Sequence, residues 1–144
     1  DETRDVFHPV MWDNPTDWPG HVEQVWFRGA HGDIGGQLGG FEAARPLANL
    51  SLVWMLEKAE ERGLPLPLDW RMRFPVDPNA PSVGTWRGWA KIFLLRSRRR
   101  VGLDASERLH NSVVSSDAAR SGRTSRWCTV SSRGCPPQDH GAPA

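Results

Sequence analysis

The chain has no tyrosine, two cysteines and almost no net charge, and each shortage excludes something. Cys128 and Cys135 both lie in a polar tail, so neither a disulfide framework nor a cysteine zinc site is indicated. Lys and Arg number 18 against 17 Asp and Glu, a net charge of +1, which leaves no overall basic field to hold nucleic acid. No apolar run reaches the roughly 18 residues that a spanning helix needs. The opening Asp1-Glu2-Thr3-Arg4 lacks a signal-peptide pattern. What is present is bulky and apolar: eight Trp and five Phe within 144 residues, enough for one core.

Composition shifts twice along the chain. Residues 1–75 are rich in Trp, Leu and Val. A turn-rich connector, Val76 to Ser82, leads to one more apolar stretch before Val114. Ser115–Ala144 contains no Leu, Ile, Phe or Met, too little apolar surface to offset the entropy of ordering it, so disorder is expected there. There is no internal repeat. Val22–Phe27 is short, β-branched and aromatic, and predicts a central strand. Leu50–Arg62 predicts a helix capped by Asn49 or Ser51 and ended by Gly63 and Pro65. Asp69–Phe74 fits a strand or a loop, and Trp86–Leu95 fits a second helix.

Between that strand and that helix lies Arg28-Gly29-Ala30-His31-Gly32-Asp33-Ile34-Gly35-Gly36-Gln37-Leu38-Gly39-Gly40, with six glycines in thirteen residues. Glycine is entropically costly, so such density implies either a flexible crossover or a backbone that must turn tightly and approach something closely. In open α/β sheets, sites lie just beyond the carboxyl ends of strands, and His31 falls four residues after Phe27. Histidine is also the side chain suited to proton transfer near neutral pH. A phosphate-binding loop is excluded, because no Gly-Lys-Ser/Thr follows and Ile34 breaks a G-x-G-x-x-G match begun at Gly32. His31 and Asp33 lack a third metal ligand at recognisable spacing; His8 and His21 stand upstream without a pattern, so no metal or cofactor is expected.

Four phrases carry a family resemblance: Asp1-Glu2-Thr3-Arg4 with Phe7 and Pro9; Gln24 to Gly36, containing V-W-F-x-G-x-H-x-D-x-G-G; Leu50 to Leu56; and Glu107 to Val113. The chain resembles the α/β-hydrolase-like domains labelled domain of unknown function 2235, which include the catalytic domains of type VI secretion phospholipase effectors. The resemblance covers residues 1–114 and looks like the C-terminal half of that domain. It implies a partial three-layer α/β-hydrolase fold, with the last strands and covering helices. It also implies a serine hydrolase of lipid esters, with phospholipid as substrate, no cofactor, the missing N-terminal half as partner, and a cytoplasmic origin before delivery by a secretion system.

The family's nucleophile elbow, G-x-S-x-G, occurs nowhere in these 144 residues, so this chain alone is expected to be inactive. Beyond Val114 the family expects an Arg and further ordered chain, whereas here the text turns to Ser, Arg and Pro, as a frameshift or a linker would. On the resemblance His31 is the general base, with the glycines Gly29, Gly32, Gly35 and Gly36 positioning its loop. The orienting acid is Asp1, preferred over Asp33. In an extended loop Asp33 would point the same way as His31, but it could instead bind glycine-loop amides. Glu2 and Arg4 read as a solvated or structural pair, and His110 as a structural histidine. Trp86, Trp89 and the apolar run to Leu95, ended by Arg96–Arg100, read as a buried helix or as a lipid-surface contact. The competing reading, from another functional class, is a non-enzymatic, partner-binding fragment of a decayed gene.

Overall fold

The computed structural model describes residues 2–12, 22–87, 91–92, 94–97, 99–113 and 128–129. Asp1, His21, Trp89 and, apart from Cys128 and Thr129, the Ser115–Ala144 tail with Cys135 lie outside the described residues. In chain order the elements are a 3-10 turn at Asp5–Phe7, β1 (Gln24–Trp26), α1 (His31–Gly35), a 3-10 turn at Glu42–Ala44, α2 (Arg45–Glu61), α3 (Trp70–Arg73), β2 (Arg100–Val101), β3 (Glu107–Leu109) and β4 (Cys128–Thr129).

β1 pairs in parallel with β3, placing Gln24, Val25 and Trp26 opposite Glu107, Arg108 and Leu109. Side chains lock this register. Trp26 Nε1 donates to Glu107 Oε2 at 2.7 Å, and Gln24 Nε2 donates to Ser106 Oγ at 2.8 Å. Glu107 is further held by the amides of Gly102, Leu103 and Asp104, at 2.9–3.0 Å. Burial raises its carboxyl pKa, but those amides and Trp26 outweigh it and leave the pKa lowered. β2 pairs in parallel with β4. The expected strand is therefore shorter than Val22–Phe27, and among the described residues β1 has one neighbour rather than two. The backbone leaves the strand at Gly29, whose φ of +126° is closed to most side chains.

α2 begins five residues before the expected start. Pro46 stands in its first turn, where a fixed φ suits the helix and the missing N–H is no loss. The two expected caps lie inside the helix and are buried. Asn49 Nδ2 donates to the Pro75 carbonyl at 2.8 Å, and Ser51 Oγ donates to the Ile34 carbonyl at 2.9 Å. Both are ties to neighbouring segments, which no local pattern reveals. The other end is as expected: Gly63, at φ +90°, closes the helix by donating to Glu60. Ala44 and Ala48 present small faces to Leu38, and Phe41 and Val83 complete that core cluster.

Two other expectations are corrected. Trp70–Arg73 is a helical turn, neither strand nor loop; Arg73 grips Asp69 at 2.9 Å across that turn, an i,i+4 pair only a helix brings together. Trp70 is buried, and its Nε1 donates to Glu60. The second helix expected over Trp86–Leu95 is not among the elements: Trp86 and Arg87 lie in a bend, Leu94 and Leu95 are not helical, and 88–90 and 93 lie outside the described residues. Asp5 N–H donates to the Leu95 carbonyl, Ser97 N–H donates to the Thr3 carbonyl, and Arg4 and Arg96 form an antiparallel bridge. Backbone pairing with the Glu2–Phe7 segment overrides the helical pattern there. No helix among the described residues is long and apolar enough to cross a membrane.

Candidate functional site

Within the glycine-rich segment, His31–Gly35 is a short helix rather than a loop. α1 starts at His31, and this changes the geometry of the His-x-Asp pair. Two residues along a helix turn by about 200°, so the side chains face opposite ways. His31 is exposed while Asp33 is fully buried. The shared direction expected of an extended loop does not occur.

Asp33 is an anchor. Its Oδ2 accepts the Ala30 N–H at 2.8 Å and the Ser82 hydroxyl at 2.6 Å, and its Oδ1 accepts the Val83 N–H at 2.7 Å. The first bond is the reciprocal half of a capping box: Ala30, at the N-cap, has no side-chain acceptor to supply the other half. The remaining two bonds tie α1 to the connector. Arg28 holds the same connector from the strand side, with its guanidinium donating to the carbonyls of Pro78 and Ala80 at 2.9 and 2.8 Å.

Two of the four glycines have a steric reason. A Cβ on Gly29 would sit 2.6 Å from Asp33 Cβ, and one on Gly32 would sit 2.8 Å from the Gln37 carbonyl oxygen. Gly35 faces open space. Gly36 ends α1, and its carbonyl accepts Arg45 at 3.0 Å. The spacing G-x-H-x-D therefore has a physical content: Gly29 makes room for Asp33, Asp33 binds the helix start, and His31 is carried on that start with its ring outward.

His31 is also held from the N-terminal segment. Its backbone N–H donates to Glu2 Oε2 at 3.1 Å. Its ring lies 4.5 Å from that of Phe7, tilted by 30°. Glu2 in turn is gripped by Arg4, whose Nε and guanidinium NH2 donate to its two oxygens at 2.9 and 2.7 Å. Burial alone would raise the Glu2 pKa. The Arg4 side-chain and backbone hydrogen bonds and the His31 amide outweigh it and hold the carboxyl at about 2.

His110 is built differently. Its ring stacks on Phe27 at 4.5 Å. Its Nδ1 accepts the Ser112 N–H at 3.2 Å and lies 3.0 Å from the Ser112 hydroxyl. Burial lowers its pKa, with Glu57 opposing, so the neutral imidazole is favoured. This ring caps a turn. The His8 ring nitrogen Nδ1 lies 3.1 Å from the Pro9 carbonyl, and no three His, Cys, Asp or Glu side chains among the described residues converge as a metal site would require.

Sequence reasoning missed Ser82 and Val83 as partners of Asp33, and Phe7 as the partner of the His31 ring. The first two lie about fifty residues from Asp33, and nothing local announces them. Phe7 had a signal, its place three residues after the D-E-x-R phrase, but spacing alone assigns it no target.

Residues 1–58 match the family model described as type VI secretion system phospholipase effector Tle1-like, catalytic domain. The match includes the D-E-x-R phrase, the His31 segment and most of α2, and stops short of the Glu107–Val113 phrase. Comparison with curated proteins and with solved structures gave no match.

Proposed function

We propose, with the match to phospholipase effector catalytic domains over residues 1–58 as premise, that this chain carries the histidine-bearing portion of a lipid-ester hydrolase of the α/β-hydrolase type. His31 acts as general base. It takes the proton from a serine hydroxyl supplied by a nucleophile elbow outside these 144 residues, and returns it to the leaving alcohol. The observation that carries this reading is the exposed imidazole at the start of a helix just beyond the carboxyl end of β1, held by groups that leave it facing outward.

The acid that orients the imidazole is outside Asp33's reach of work. Both Asp33 oxygens already bind the loop and the connector, which makes it the residue that fixes where His31 stands. Asp1 keeps the role of orienting acid in this reading. The test is His31→Ala in an enzyme joining this chain to a G-x-S-x-G segment, assayed on phospholipid. Turnover falls roughly 10³–10⁶-fold with KM little changed. Near-normal turnover refutes the assignment.

A phospholipid substrate also requires approach to a membrane surface. Trp86, Ile92, Leu94 and Leu95 are all exposed, the last two at 78%, beside the cation of Arg96, which lies 3.8 Å over the Trp86 ring. Apolar side chains with arginine suit an anionic interface. Co-sedimentation with vesicles of anionic phospholipid tests it: Leu94→Asp with Leu95→Asp lowers the bound fraction several-fold, and unchanged binding removes this surface from the reading.

The partner-binding alternative has one observation in its favour. A groove of about 430 Å³ between α1 and α2 is lined by Ile34, Leu52 and Met55, each at least 40% exposed. A groove of this kind is also what the rest of a larger domain would cover.

A further inference from the structure

His31 stands inside a closed circuit of contacts that starts and ends on itself. Its backbone N–H donates to Glu2; Glu2 is bound by Arg4; the Arg4 guanidinium lies 4.2 Å over the centre of the Phe7 ring; and the Phe7 ring lies tilted against the His31 ring. The Glu2 and Arg4 side chains are only 12% and 10% exposed, so water screens the pair little. The circuit is fastened from behind. The Arg4 carbonyl accepts Arg99 at 2.7 Å, and the antiparallel bridge between Arg4 and Arg96 ties the segment to the chain that follows Leu95.

The contact between Glu2 and His31 answers a specific need. The first amides of a helix have no partner within it, and an alanine N-cap offers no side-chain acceptor. Asp33 satisfies the Ala30 amide, and Glu2, from 29 positions earlier in the chain, satisfies the His31 amide. The two carboxylates thus divide the start of α1 between them. Arg4 keeps Glu2 ionised and at the same time cancels most of its charge, so the pair fixes position while imposing little net field on the imidazole.

We propose that Glu2, Arg4 and Phe7 form a positioning set for His31, in which the carboxylate fixes the backbone of that residue and the aromatic ring fixes the plane of its imidazole. None of the three is a catalytic residue. The catalytic meaning of the set rests on the reading of His31 as general base, but its existence as a set does not. The D-E-x-R phrase and the phenylalanine three residues on then have one purpose, and the separation between this phrase and the His31 segment is bridged by folding rather than by sequence.

The test is nuclear magnetic resonance on the whole 144-residue chain, reading the His31 amide and ring protons. In the unaltered chain the Glu2 side-chain carboxyl carbon titrates only near its depressed value of about 2, and the His31 amide shows a step at that same pH. Arg4→Gln moves that response up towards the ordinary glutamate range. Glu2→Gln abolishes it and removes protection of the His31 amide from exchange, and Glu2→Asp restores part of both. Phe7→Leu, which alters no charge, removes the ring-current shift from the His31 ring protons while leaving the amide in place. The α2 amides report whether each variant is folded. A His31 amide that titrates near 4.5 in the unaltered chain, or His31 signals indifferent to Glu2→Gln and Phe7→Leu, overturns the proposal. None of these readouts involves turnover, so their failure leaves the role of His31 as base to the kinetics of His31→Ala, and a failure there leaves the set standing.

Discussion

His31 and His110 each lie against a phenylalanine with ring centres 4.5 Å apart, yet they are held in opposite ways. At His110 the ring itself is spent: Nδ1 takes the Ser112 amide, the ring is half-buried, and desolvation favours the neutral form. At His31 the surroundings grip everything except the outer part of the ring. The Glu2 carboxylate holds its backbone, Asp33 holds the residue before it, and the imidazole remains exposed. Proximity to an aromatic ring, or a place in a family-like phrase, does not distinguish the two. What does is whether the hydrogen bonds end on the ring or on the backbone that carries it.

Removing the anchor under His31 is expected to have the largest effect on stability. Asp33→Ala strands the buried Ala30 amide, the half-buried Val83 amide and the Ser82 hydroxyl, and lowers unfolding free energy by about 2–4 kcal/mol. Gly29→Ala acts on the same joint through strain at φ +126° and the 2.6 Å approach, and costs about 1–3 kcal/mol. Urea unfolding of both variants checks this; a loss under about 0.5 kcal/mol for Asp33→Ala would show that the anchor contributes nothing beyond an ordinary surface position.

A smaller effect belongs to Glu2. Its carboxyl sits at about 2 in the folded chain against an ordinary 4.5, so its contribution is complete above pH 4.5 and disappears as pH falls towards 2. Thermal melts of Glu2→Gln therefore lie below those of the unaltered chain at neutral pH, and the two converge in acid. Parallel curves at every pH would contradict this. The smallest effect belongs to His110. Its pKa is lowered on folding, so the stability it contributes is complete above its unfolded value of 6.5 and is lost as pH falls below it. In His110→Asn that part of the pH dependence flattens.

Local chemistry made some of this legible in the sequence. Gly63 ends α2 where expected, and among the glycines around His31 a Cβ at Gly29 or Gly32 would meet Asp33 or the Gln37 carbonyl closer than 3 Å. The start of α2 was misplaced because Asn49 and Ser51 look like caps, while their actual partners, Pro75 and Ile34, lie outside the helix. The helical nature of His31–Gly35 was illegible for a related reason. Glycine-rich text has poor helix propensity, and the turn is held by Asp33 reaching Ser82 and Val83, contacts that come from tertiary structure alone.

The contrast between the two histidines is tested most directly by making His31→Ala and His110→Ala side by side, in an enzyme that joins this chain to a nucleophile-bearing segment, and measuring kcat on phospholipid together with thermal stability. The account predicts that His31→Ala lowers kcat roughly 10³–10⁶-fold and leaves the melting temperature nearly unchanged, while His110→Ala lowers the melting temperature and leaves kcat within about tenfold. The reverse pattern, with turnover lost at His110 and kept at His31, would contradict it.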